Sequence, residues 1–96
     1  MGKDGFVYIM SNARRTTLYI GVTSDLATRI TQHKEGTGSA FCKKYNCTHL
    51  IYYEHHHTIL GAIEREKQLK NWKRAWKDEL IRSVNPEMVD LYDGLF

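Results

Sequence analysis

The hydrophobic period of this chain runs strand, helix, strand, helix, and that order limits what it can fold into more than any other feature. FVYIM, Phe6 to Met10, is made of β-forming residues and is apolar on both faces, which suits an inner strand. After the polar turn region SNARRTT, the run TLYIGV alternates Leu18, Ile20 and Val22 with Thr17, Tyr19 and Gly21. The two runs therefore read as a hairpin with Tyr19 and Gly21 on one face. Thr23-Ser24-Asp25 supplies cap candidates for a helix that runs to Glu35 and stops at Gly36-Thr37-Gly38. SAFCKKYN predicts a short helix or an irregular connection, and THLIYYEH a third strand. From Thr58 the period is helical through Lys73, with a break near Lys73-Arg74 before a second stretch, AWKDELIRSV. Asn85-Pro86 ends that stretch, because proline lacks an N–H and restricts the residue before it. The tail EMVDLYDGLF keeps apolar residues to its end and is expected to dock.

With 96 residues, 42% hydrophobic and 26% charged, and a single proline, residues 1–96 are expected to form one folded domain around one hydrophobic core. The start MGKDGFVYIMSN has neither the charge pattern nor the apolar length of a signal peptide or membrane span, so a cytoplasmic protein without membrane contact is expected. Cys42 and Cys47 are expected as free thiols. The net charge of +3 is mild, but its distribution is uneven. Arg65, Lys67, Lys70, Lys73, Arg74 and Lys77 lie in one segment against the single acid Glu66, which makes a basic stripe.

At about 100° per residue, Ile59, Ala62, Ile63 and Leu69 fall in one sector of the long helix. Glu66 points into that sector and Glu64 away from it. A carboxylate on the core side costs on the order of several kcal/mol unless it is paired, protonated or bound to a metal. A salt bridge to a neighbouring cation and a metal ion both answer that need. On the first helix Arg29 and His33 are spaced i, i+4 and project from one edge beside the apolar face. A guanidinium suits phosphate through two parallel hydrogen bonds, and an imidazole can relay a proton near neutral pH. Tyr8 and Tyr19, on neighbouring strands, add hydroxyls to the same sheet surface.

These residues carry a resemblance. FVYIM followed by LYIGVTSDLATRITQH, with AIEREKQLKNWKRAWKDELI and NP later, resembles the GIY-YIG nuclease superfamily, most of all its small single-domain, UPF0213-like bacterial members. The resemblance spans Phe6 to about Tyr92. It implies an α/β (α+β) domain, with a three-stranded antiparallel sheet flanked by helices, that cuts nucleic-acid phosphodiesters with a divalent metal, Mg²⁺ or Mn²⁺. It matches Tyr8 to the tyrosine of the first motif, and Tyr19 and Gly21 to the second. Arg29 matches the arginine that binds the scissile phosphate, His33 a histidine of part of the superfamily, and Glu66 the metal-holding glutamate. Phe6 stands where the superfamily's first motif has glycine.

On that reading Tyr8, aided by Tyr19 and His33, deprotonates the attacking water, with the two tyrosines exchangeable in role. Arg29 grips the phosphate, and the ion on Glu66 stabilises the leaving oxygen. Gly21 lets the chain or the substrate backbone approach closely, and Lys67, Lys70, Lys73, Arg74 and Lys77 supply phosphate contacts. Trp72 and Trp76 are expected to pack. DNA is favoured over RNA as substrate. The lack of an added specificity domain favours structure-selective cutting or a protein partner that supplies the address. Two alternatives stand beside this reading. One is a non-catalytic nucleic-acid-binding module of the same fold, and the other a zinc site made from His55 to His57 with Cys42 and Cys47.

Overall fold

The computed structural model describes residues 3–96. Three strands, β1 (Gly5–Ser11), β2 (Leu18–Thr23) and β3 (His49–His56), form an antiparallel sheet in the order β2-β1-β3. The strand that is apolar on both faces is thus the central one, where each side of the pleat meets protein. Four helices accompany the sheet: α1 (Leu26–Glu35), α2 (Ala40–Tyr45), α3 (Ile59–Lys70) and α4 (Arg74–Val84), with a 3-10 turn at Tyr92–Leu95.

The sheet divides the interior in two, where composition alone suggested one core. Val7, Ile9 and Ile20 pack with Ala62 and Leu69 of α3, Ile81 of α4 and Met88. On the opposite face Tyr8 and Met10 pack with Leu26 and Ile30 of α1, Cys42 of α2 and Leu50. Alternation along β1 feeds both clusters from one strand.

The helix ends follow their capping residues. The Asp25 carboxylate accepts the Thr28 N–H at 3.3 Å, and Gly36 closes α1 at φ 80°, a conformation costly for any residue with a Cβ. The Thr58 hydroxyl accepts the Gly61 N–H at 3.0 Å to open α3. α3 stops at Lys70, three residues short of the expected Lys73: the Asn71 side chain donates to the Lys67 carbonyl at 3.2 Å, and Trp72 turns toward the cluster beneath α3. Arg74 at the start of α4 then donates to the Arg15 and Thr16 carbonyls, fastening α4 to the β1–β2 turn.

The tail docks as expected. Asp90 accepts the Leu50 and Tyr92 N–H groups at 3.1 Å each and pairs with Lys34 of α1, while the buried Asn85 amide donates to the Ile51 and Val89 carbonyls. Among the described residues, no helix is long and apolar enough to cross a membrane.

Candidate active site

The hairpin register places Tyr8 directly opposite Gly21, and Met10 opposite Tyr19. The Tyr8 ring lies across the glycine: a Cβ at Gly21 would sit 2.4 Å from both the Cζ and the hydroxyl of Tyr8. The glycine therefore makes room for the protein's own tyrosine, so of the two expected close approaches it is the chain's that is present. Laid flat, Tyr8 reaches α1, where its hydroxyl and His33 Nε2 are 2.8 Å apart. Both side chains are buried, at 2% and 1% exposure. Tyr19 completes a triangle of rings, 6.4 Å from Tyr8 and 5.5 Å from His33 between centroids.

A second glycine closes this arrangement from the loop after α1. A Cβ at Gly38 would fall 2.8 Å from His33 Nδ1, so the backbone there presses against the imidazole. Arg29, one turn before His33, donates through Nη1 to the Gly38 carbonyl at 3.2 Å. The guanidinium fork retains further N–H groups for an anion.

Burial sets the protonation states. It is the main cause that pushes the Tyr8 phenol well above its ordinary value; Tyr19 adds to the rise, Arg29 opposes it, and Glu66 adds in the same upward direction. Burial, then Arg29, holds His33 below its usual range, so the imidazole is neutral at pH 7. Its Nδ1 is buried without a hydrogen-bond partner among the described residues. A neutral imidazole against a neutral phenol, with an arginine one turn away, has the chemistry to pass a proton beside a bound anion.

Glu66 is the half-buried acid of α3, as its helical phase predicted, and Glu64 is exposed. Its described ion-pair partner is Lys70, at 3.0 Å and on the solvent side. The salt bridge, one of the two answers open to a carboxylate in this position, is therefore present.

The basic stripe is less free than its sequence implies. Lys70 faces Glu66, Arg65 donates to Glu54 and Gln68, and Arg74 is spent on Asp78 and the two turn carbonyls. Arg74 thus joins structural elements through these contacts. Lys73 lies over the Trp76 ring, and Lys67 and Lys77 have no ion pair among the described residues. Trp72 packs as expected, whereas Trp76 is 53% exposed.

The zinc alternative is overturned. Cys42 and Cys47 are free, buried thiols in the α1-side cluster, with Cys42 pushed up to about 12 by burial and then by Cys47. His55 and His56 are engaged elsewhere, by Asp4 and Glu54, and no three metal-binding side chains come together among the described residues. Sequence reasoning missed Gly38, which it treated as a helix stop. The available signal was a second glycine two residues after the one that already ends α1.

A sequence model of the GIY-YIG catalytic domain matches residues 4–79, a span that contains every residue of the Tyr8–Tyr19–Arg29–His33–Glu66 group. The chain belongs to the GIY-YIG family. Among its relatives, a UPF0213 protein of Natronomonas pharaonis is 31% identical over 81 residues, covering 84% of this chain and 94% of that one. A UPF0213 protein of Staphylococcus aureus is 34% identical over 77 residues, covering 80% and 93%. The solution structure of the UPF0213 protein BH0048 from Bacillus halodurans superposes with a TM-score of 0.57 over 88% of each chain, at 23% identity. That likeness agrees with the α+β fold of this GIY-YIG chain, a three-stranded antiparallel sheet with four helices.

Proposed function

We propose that this GIY-YIG chain is a cytoplasmic endonuclease that hydrolyses phosphodiester bonds in nucleic acid, DNA in preference to RNA. The observation that carries this reading is the buried Tyr8–His33 hydrogen bond, 2.8 Å long and one helical turn from Arg29. A pair built only for packing would not need two burial-shifted proton carriers beside a cation.

Tyr8 cannot serve as a resident phenolate, because its proton is held well above the neutral range. His33, neutral at pH 7, is the group with an empty proton site. The step that follows is a relay. A water oxygen bonds to phosphorus as its proton passes to the Tyr8 hydroxyl, the phenolic proton passes to His33 Nε2, and the phosphorus–oxygen bond to the leaving strand breaks. Tyr19, half-buried against His33, orients the water, and Arg29 holds the non-bridging oxygens in its planar fork.

Glu66 fits a hard divalent ion: it is one half-buried carboxylate whose described partner is a solvent-side lysine that can swing away. No cluster of three or more metal-binding side chains forms among the described residues, which suits Mg²⁺ or Mn²⁺ carrying several waters and a substrate phosphate. When bound, the ion supplies charge neutralisation on the phosphate and on the leaving oxygen.

Labelled single-stranded, duplex and branched DNA, and RNA, incubated with Mg²⁺ or Mn²⁺, test this. Metal-dependent cutting is expected in the parent. Glu66→Gln is expected to cut at least about a hundredfold more slowly while still binding, and Arg29→Ala to lose both. Binding without cutting in parent and variants alike would instead establish a docking module.

A further inference from the structure

The short helix α2 presents a surface that the proposed chemistry does not use. Ser39 caps it by accepting the Cys42 N–H, and Cys42 anchors it inward, fully buried. Phe41 and Tyr45, one turn apart, point the other way and are 41% and 43% exposed. Their rings lie 4.7 Å apart between centroids, and Phe41 lies 5.7 Å from Tyr19, which in turn meets His33 at 5.5 Å. The four rings form a ladder that starts buried at the proton-transfer pair and ends in water. From Gly36 to Tyr53 the formally charged residues are Lys43 and Lys44, with no acid, and the Lys44 ammonium sits 5.4 Å above the Tyr45 ring.

We propose that Phe41 and Tyr45 are a stacking platform for unpaired nucleobases next to the phosphate held at Arg29, an inference that rests on the endonuclease reading above. Stacking on aromatic faces needs bases whose own faces are free, and bases inside a duplex already stack on each other. The two lysines complement the strand's phosphates, and continuity with Tyr19 places the first base beside the bond to be cut. The platform thus selects substrates that are single-stranded around the cut.

The test uses the full chain carrying Glu66→Gln and an oligonucleotide with 2-aminopurine flanking a central site, read by anisotropy and by fluorescence quenching, as single strand and as blunt duplex. Quenching on binding the single strand is expected. Phe41→Ala and Tyr45→Ala should each weaken single-strand binding about tenfold and abolish quenching while leaving duplex binding unchanged, and Phe41→Trp and Tyr45→Trp should keep both. Binding of the single strand without quenching overturns the platform even if an alanine variant fails to fold. Undiminished binding by folded alanine variants overturns it too, pointing to a protein partner for these rings, and in both cases the endonuclease reading stands. If the chain binds neither form of the oligonucleotide, both readings fall.

Discussion

The two faces of the sheet are built from alternate residues of the same central strand, yet they follow different rules. Toward α3 and α4, Val7 and Ile9 meet Ile20, Leu69 and Ile81, an interior of mostly aliphatic side chains. Toward α1 and α2, Tyr8 and Met10 meet a buried histidine and two buried thiols, and two glycines are needed to fit the rings. The first face gains from burying hydrocarbon and tolerates shape changes of similar volume. The second brings a phenol and an imidazole out of water, where one must satisfy the other. The α3/α4 side thus draws mainly on hydrocarbon, with the Tyr52 hydroxyl at Glu54 as a part-buried polar contact, and the α1/α2 side holds the phenol–imidazole pair.

That division can be broken by experiment. The largest expected effect is Ile81→Ala, which removes a fully buried side chain from the aliphatic face and should cost about 2–5 kcal/mol in denaturant unfolding. Cleavage per folded molecule should stay within about twofold, because α4 contributes no group to the proposed relay; a collapse of activity in folded protein would show that the faces are not independent. Gly21→Ala should cost about 1–3 kcal/mol by overpacking. Its added methyl meets the Tyr8 hydroxyl at 2.4 Å, so cleavage should fall about a hundredfold through displacement of the ring. Unchanged cleavage in that variant would remove Tyr8 from the relay.

The smallest effect sharpens the comparison. His33 has a folded-state pKa below its ordinary value, so the unfolded chain binds the proton more readily. Its contribution to stability is fully present above the unfolded value of about 6.5 and is lost as pH falls below it. Thermal unfolding followed from pH 8 to pH 5 should show a decline that His33→Gln reduces. His49, held down chiefly by burial and then by Arg15, acts in the same direction. An identical pH profile in the variant would mean that folding leaves the imidazole's proton affinity unchanged.

Much of this was legible in the sequence where a single element decides the outcome. An apolar FVYIM placed β1 in the centre, Asp25 and Gly36 bounded α1, and helical phase separated Glu66 from Glu64. What was not legible depends on partners far apart in the chain. Arg74 reads as a member of a cationic run, and only the turn carbonyls nearly sixty residues upstream give it another task. Gly21 reads as a point of close approach by either chain or substrate, because the ring that fills it comes from the neighbouring strand. The break after Lys70 follows from Trp72 seeking the interior, which propensity over a window of basic residues does not register.

The Tyr8–Gly21 pairing also bears on how the chain finds its alignment. Tyr8 can lie flat only where the opposing strand lacks a side chain, and in this hairpin the residues on either side of Gly21 are Ile20 and Val22. A slip of one residue would set the ring against a branched side chain and turn the strand's apolar set toward the wrong face. The tyrosine and glycine thus act as key and keyway, so one pairing fixes both the alignment of the hairpin and the position of the Tyr8 phenol.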